Sequence, residues 1–232
     1  MDLGKAKIII TGGSSGIGRE TAQLLIRKGA SVVICSRDKA EIEKTAAAIG
    51  AIGIQADVAD EASVNALFEQ AIQKLNGCNV VINNAGIGYL APLIETTTAD
   101  FTKVWETNVK GAFLIGKAAA KYFIAQNEGN IINIASTAGS KGFANGSAYC
   151  ASKFALSAMT ECWRTELRKN NIRVMQVNPS EVVTAFGSKL GYEHANVDHK
   201  LKPSEIAHTI AAMLEMNNVG FITEVSVWAT NP

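Results

Sequence analysis

Lys7-Ile8-Ile9-Ile10-Thr11-Gly12-Gly13-Ser14-Ser15-Gly16-Ile17-Gly18 is the stretch from which the rest of the chain can be read. Lys7–Thr11 is a short apolar, β-branched run and reads as a buried strand. The glycine-rich turn follows at once. Arg19 to Gly29 then reads as a helix, with Thr21, Ala22, Leu24, Leu25 and Ile26 at its core positions and Gly29 closing it. Strand, glycine turn and helix form the context that a phosphate-binding loop requires. The glycines let the backbone approach a pyrophosphate, and the helix N-terminus offers free N–H groups. The spacing is Gly-x-x-x-Gly-x-Gly rather than Gly-x-Gly-x-x-Gly, and a purely structural βα turn would show the same residues.

Working outward, Ser31–Ser36 is a second strand. A dinucleotide fold places its ribose-reading residue at the end of that strand, where an NAD site carries a carboxylate. Here Ser36 and Arg37 stand there. A hydroxyl and a cation suit a 2′-phosphate, so NADP is favoured over NAD, although Arg37 also reads as an ordinary solvated charge. Asp38 sits late for the ribose and reads as the cap of a helix running to Ile49. Ile52–Val58 is a third strand, ending at Asp57 and Val58, and Asp60 caps a helix to about Leu75. Val80–Asn83 is a fourth strand, closed by Asn84-Ala85-Gly86 at the end where open α/β sheets bind ligands.

A helical region runs from Thr98 to Gln126. Asn108 lies in its middle, where a mediocre helix former calls for a kink, a buried hydrogen bond or a function. Asn130–Ser136 is a fifth strand and Arg173–Asn178 a sixth, leading into Pro179-Ser180. Ala185 to Lys202 shows no strong period and reads as a flap over a substrate. His194 and His199 lie within it, but their spacing does not point to a metal site. Pro203 opens a last helix, and Val219–Trp228 reads as a final strand. The alternation makes one doubly wound α/β domain over residues 1–232.

Composition narrows the classes. Hydrophobic residues make up 47% and charged residues 19% of the 232, enough for a substantial core. Twenty-two basic and 21 acidic residues leave a net charge of +1, against a nucleic-acid-binding module. Cys35, Cys78, Cys150 and Cys162 form no metal-ligand cluster, and reduced thiols in a cytoplasmic protein are the simplest account. No apolar run has the length of a signal peptide or a membrane span.

Tyr149 and Lys153 are four apart, on one face of a helix. A phenol titrates near ~10, and an ammonium one turn away is expected to lower that value. Alone, the pair is also what an ordinary amphipathic helix carries.

Together these pieces resemble the short-chain dehydrogenase/reductase family. The match runs from Lys7 to about Thr184, on Thr11-Gly-x-x-x-Gly-Ile-Gly18, Asn83-Asn84-Ala85-Gly86, Asn108, Ser136 and Tyr149-x-x-x-Lys153. The resemblance implies a Rossmann-type, seven-stranded parallel sheet of order 3-2-1-4-5-6-7 with helices on both faces. It implies that Tyr149 donates a proton to a carbonyl oxygen while a nicotinamide delivers hydride. Lys153 would lower the Tyr149 pKa and hold the nicotinamide ribose, Ser136 would hydrogen-bond the carbonyl, and Asn108 would hold a water for proton resupply. Gly12, Ser14, Ser15, Gly16, Ile17 and Gly18 would meet the phosphates and nearby ribose. Ser36 and Arg37 would meet a 2′-phosphate, Asp57 and Val58 the adenine, and Asn84, Ala85 and Gly86 the adenosine side. Pro179, Ser180, Val182 and Thr184 would line the nicotinamide site.

The expected activity is NADP(H)-dependent reduction of a small-molecule carbonyl, with 3-oxoacyl-carrier-protein reductase among the candidates. An oxidative alcohol dehydrogenase and a silent NADP-binding scaffold are the alternatives. A homodimer or homotetramer is implied, and no metal, nucleic acid or membrane. Residues 87–93, 137–144 and 180–200, with Tyr89, Leu90, Phe143, Phe186 and Leu190, would build a largely apolar substrate pocket. Two departures stand out: Pro179-Ser180-Glu181 where the family has Pro-Gly, and a C-terminus without the Gly-rich ending common in the acyl reductases.

Overall fold

The computed structural model describes residues 1–189 and 199–231. Leu190, and Tyr192 and His194 of the expected flap, lie outside the described residues. Strand β1 (Lys7–Thr11) is buried from Ile8 to Thr11. Helix α1 (Gly16–Arg27) begins inside the glycine loop, ahead of the expected Arg19. The alternation continues through β2 (Ser31–Ser36), α2 (Lys39–Ile49), β3 (Ile52–Gln55), α3 (Glu61–Leu75) and β4 (Val80–Asn83). Then come α4 (Thr98–Trp105), α5 (Ala112–Gln126), β5 (Gly129–Ile134), α6 (Ser147–Leu167) and β6 (Ile172–Pro179). The last elements are α7 (Ala185–Lys189), α8 (Pro203–Glu215) and β7 (Glu224–Val227).

The seven strands form one sheet of order β3-β2-β1-β4-β5-β6-β7, with every neighbouring pair parallel, as expected. Alternate side chains of a strand face opposite layers. Ile8 and Ile10 pack with Leu25 of α1, Ile42 of α2 and Ile210 of α8. Ile9 packs on the other side with Leu67 and Phe68 of α3 and Ile115 and Phe123 of α5. Both faces are covered, which is why the strands read as continuous apolar runs rather than alternating ones.

Other elements also differ from the sequence pattern. Strand β3 stops at Gln55, so Asp57 and Val58 stand in a turn. There the Asp57 carboxylate accepts from Ala59 N at 3.0 Å, and its own N–H donates to Ser63 Oγ at 2.9 Å. Strand β5 ends at Ile134, leaving Ser136 beyond it as the cap of a short 3₁₀ turn. The 98–126 helix is interrupted by a π-helical segment, Glu106–Gly111, with Asn108 buried in it. Strand β7 spans only Glu224–Val227, with Val219 fully in solvent. No described helix is long and apolar enough to cross a membrane.

A buried polar chain locks the middle of the sheet to its helices. Asn83 Nδ2 donates to Asn133 Oδ1 at 3.0 Å and to Ala112 O at 3.3 Å. Asn133 Nδ2 donates to Thr160 Oγ1 at 2.8 Å, and that hydroxyl donates to Leu156 O at 2.7 Å. These bonds tie β4 and β5 to the start of α5 and the middle of α6. A neighbour in that row lost without replacement would leave a buried amide unpaired, at about 1–3 kcal/mol.

Candidate active site

A cleft of about 830 Å³ opens over the carboxyl ends of β1, β2, β4, β5 and β6. That is within the usual range for cofactor and substrate sites. Its floor at one end is the glycine loop. Gly12 and Gly16 have φ of +65° and +54°, which L side chains rarely adopt. A Cβ on Gly12 would come within 2.9 Å of Ala85 Cα, and one on Gly18 within 2.4 Å of Gly12 O. Gly12, Ser14, Ser15, Gly16 and Ile17 line the cleft. Gly18 lies beneath it, where the lack of a side chain lets α1 sit close to the loop. Ser15 precedes α1 without a side-chain capping bond, so the first-turn N–H groups are not capped by it.

The Asn84 turn is stitched to this loop. Asn84 Nδ2 donates to Thr11 O at 2.9 Å and Gly12 O at 3.0 Å. Thr11 Oγ1 accepts from Asn84 N and Ala85 N. Asn84, Ala85 and Gly86 all line the cleft, as do Ser36, Arg37, Asp57 and Val58. Arg37 is exposed, while the Asp38 carboxylate caps α2 by accepting from Glu41 N at 2.9 Å. A glycine-rich cradle at a helix N-terminus, a hydroxyl and a cation at the end of β2, and a long cleft leading to a phenol fit a dinucleotide.

At the other end stand Ser136, Tyr149 and Lys153, with Pro179, Ser180, Val182 and Thr184. Lys153 is 6% exposed and donates from Nζ to Ile134 O at 2.9 Å. Its Nζ is 5.8 Å from the Tyr149 ring centroid. Burial pulls the lysine down to about 8 and pushes the Tyr149 phenol up to about 12. The Ser136 hydroxyl beside the phenol works the other way. The expected lowering of the Tyr149 pKa by Lys153 is therefore not met in this state. Withdrawal of both groups from water outweighs an ammonium at that distance, itself bound to a backbone carbonyl.

Asn108 stands behind the cleft rather than in its wall, 1% exposed. Its Oδ1 accepts from Ile87 N at 2.8 Å, and its Nδ2 donates to Ile87 O at 2.8 Å and Ser152 Oγ at 3.0 Å. Ser152 Oγ in turn donates to Tyr149 O at 2.7 Å. The π segment thus ties the loop after β4 to the turn of α6 that carries Tyr149. Both amide donors of Asn108 are engaged, which leaves only the second lone pair of Oδ1 for a water. Asn108 and Lys153 converge on Gly86, where a Cβ would lie 3.4 Å from Oδ1 and 3.7 Å from Nζ.

The sequence reading did not single out Ser152, Thr11 as a bracket, or Trp228. Ser152 carried a signal, a hydroxyl three residues after Tyr149 on the same helix face. Trp228 carried none, because only the pairing of β7 with β6 brings it to the cleft. Of the expected pocket residues, Leu90, Phe143 and Phe186 line the cleft, while Tyr89 lies beside the Asp100 carboxylate instead. Ser180 is not in the left-handed region, so it replaces a glycine there without strain, and its N–H donates to Val227 O at 2.9 Å.

Known proteins share this arrangement. The family model described as short chain dehydrogenase matches residues 6–194. Human 3-oxoacyl-[acyl-carrier-protein] reductase is 35% identical over 215 residues, covering 89% of this chain and 90% of that protein. The 3-ketoacyl-(acyl-carrier-protein) reductase from Brucella melitensis, solved with NADH, superposes with a TM-score of 0.90 at 28% identity over 96% of each chain. ElxO with NADP bound gives 0.87 at 26% identity, also over 96% of each. With the sheet order, the glycine loop and the Ser136, Tyr149 and Lys153 cluster, these matches make the chain a member of the short-chain dehydrogenase/reductase family of oxidoreductases.

Proposed function

We propose that this chain is an NADP(H)-dependent carbonyl reductase, with 3-oxoacyl thioesters among its candidate substrates. The observation that carries the reading is the convergence of Ser136, Tyr149 and Lys153 at one end of a cleft whose other end is a glycine-rich loop at a helix N-terminus. A nicotinamide cofactor bound there supplies the hydride. Ser136 hydrogen-bonds the substrate carbonyl oxygen, and Tyr149 gives that oxygen its proton. Lys153, protonated below about 8, holds the ribose hydroxyls and restores the proton to Tyr149. Positioned proton transfer of this kind contributes ~100- to 10,000-fold.

Burial keeps the Tyr149 phenol protonated, the form that donates to a carbonyl oxygen. Arg37 in the cleft wall, with Asp38 engaged in capping α2, supports NADP over NAD. Relatives solved with NADH and with NADP make the discrimination a property of these residues rather than of the fold. Gly12, Ser14, Ser15, Gly16 and Ile17 would hold the phosphates, Asp57 and Val58 the adenine, and Val182 and Thr184 the nicotinamide amide. Gly18 would act from below by shaping the loop. Leu90, Phe143, Phe186 and Trp228 favour a carbonyl compound with an apolar body. Residues 1–232 would act as one domain. Half-exposed Phe101, Trp105, Phe113 and Phe154 on α4 to α6 support a homodimer or homotetramer. Free thiols and near-neutral charge support a cytoplasmic protein.

The test is a fluorescence titration with NADPH and with NADH, then turnover of 3-oxoacyl thioesters, diketones, quinones and aldehydes. Saturation by NADPH at lower concentration than NADH, with reduction of at least one class, is expected. Absence of saturable NADPH binding would sink the reading, and saturable binding with no turnover of any class would favour the silent module.

A further inference from the structure

Residues 181–183, which follow β6 at the substrate end of the cleft, are joined to residues 200–201. Val182 and Leu201 form a parallel bridge, and Val183 N donates to Leu201 O at 2.8 Å. Beside them Lys200 Nζ lies 2.6 Å from Glu181 Oε1. Residues 181–183 and 200–201 are thereby joined in a neck. Just after the first of these, α7 carries Phe186. The Phe186 ring centroid is 5.8 Å from that of Tyr149, tilted by 52°.

Helix α7 has five residues, and a helix that short does not hold itself in water. Among the described residues, Gly187 N donates to Thr184 O at 3.1 Å. Where Phe186 stands is set by the neck. The ion pair there differs from an ordinary surface pair, because the Lys200 side chain is only 15% exposed while Glu181 is 45% exposed. A nearly covered ammonium without its carboxylate is unfavourable and moves toward water. Lys200 is adjacent to Leu201, so that movement pulls on the bridge to Val182. Glu181 also stands directly after Ser180, whose N–H is anchored to Val227 O on β7. One side of the neck is thus fixed to the sheet, and the other is held to it by the Val182–Leu201 bridge, the Val183–Leu201 hydrogen bond and the ion pair.

We infer that Glu181 and Lys200 are positioning residues whose ion pair seats Phe186 against Tyr149 and so sets the fit for substrates with an apolar group next to the carbonyl. The substrate part of this inference rests on the carbonyl-reductase reading, whereas the clasp itself rests on geometry alone.

Two measurements test it on the full chain, with Lys200→Met and Glu181→Gln as the breaking variants and Lys200→Arg as the conservative one. Hydrogen exchange in the free protein comes first. Amides of residues 183–189 are expected to exchange about tenfold faster in the breaking variants and at the wild-type rate in Lys200→Arg, with β4 and α6 unchanged. Steady-state kinetics with a reducible apolar ketone comes second. KM is expected to rise about tenfold while kcat and the NADPH Kd stay within threefold. Unchanged exchange at 183–189, or an equal rise across the whole sheet, would overturn the clasp. An unchanged KM, or a KM that rises only in step with the NADPH Kd, would overturn its role in substrate fit. If wild-type protein binds no NADPH, the proposed function fails, yet the exchange experiment still decides the clasp.

Discussion

At the β1 end of the cleft the wall is backbone, and at the β5 end it is side chains held by other side chains. Gly12 and Gly18 have no room for a Cβ, which would meet Ala85 or Gly12 O, and Gly16 holds a positive φ. Tyr149 and Lys153 work by their surroundings: Ser136, Ile134 O, and the run from Ile87 through Asn108 and Ser152. A backbone cradle for phosphate depends on conformation, which neighbouring residues largely set. A proton-transfer group depends on solvation and partners, which come from distant parts of the chain. The two ends should therefore fail in different ways when perturbed, one in binding and the other in rate and pH response.

The largest separation is expected from Tyr149→Phe. Turnover should fall by about 100- to 10,000-fold, while the NADPH Kd measured by fluorescence stays within about twofold. Full turnover would remove Tyr149 from proton donation and leave the β5 end without its proposed chemistry.

Lys153 offers a test by pH. Its folded value, about 8, lies below its ordinary 10.5, so folding disfavours the cation. The unfolded chain then binds more protons between those values, and stability contributed by this group rises with pH across that window. The depression is worth at most about 3 kcal/mol. Buried Cys35 and Cys78, raised to about 12, act the other way above about pH 9, so the readout is a difference: wild type should gain stability relative to Lys153→Met between pH 7 and pH 10. Tyr149, raised from 10 to about 12, has the opposite sign: the folded state binds more protons there, so stability falls from pH 10 to 12. In turnover, carbonyl reduction should decline as pH rises through about 8.

Gly18→Ala probes the backbone end. The new methyl would sit 2.4 Å from Gly12 O, a backbone atom that can yield only by moving the loop. A loss of about 1–3 kcal/mol in urea unfolding is expected. NADPH binding should weaken with it, and the pH profile of any remaining turnover should not change. A shifted pH profile would mean that the two ends are not independent. The smallest effect is assigned to Arg37→Asp, about tenfold in the ratio of NADPH to NADH affinity, or ~1.4 kcal/mol. An unchanged ratio would take Arg37 out of the cofactor site.

Much of this arrangement could be read before the fold was known, and the misses share a cause. Strands β1, β2 and β4 were recognisable because burial on both faces demands unbroken apolar runs. The Asn84 turn was recognisable because it closes such a run. Asn108 stood out as an amide in the middle of a helix, but a single sequence does not show that Ile87 and Ser152 are its partners. The 98–126 segment has one helical period throughout, so nothing in it announces a π turn. Strand β7 was overextended because Val219 and Ile222 are apolar, and its length is set by the four residues of β6 that it pairs with.

The alternation of strands and helices and the glycine cradle follow from local rules of periodicity and backbone conformation, and the candidate tetrad from the family resemblance that its motif residues carry, so the chain's own letters were enough for them. The protonation of Tyr149, the burial of Lys153 and the seating of Phe186 follow from desolvation and contact among residues tens of positions apart. An ammonium one turn away predicted a lowered phenol pKa. Burial works against it, pushing the Tyr149 phenol up and the Lys153 ammonium down.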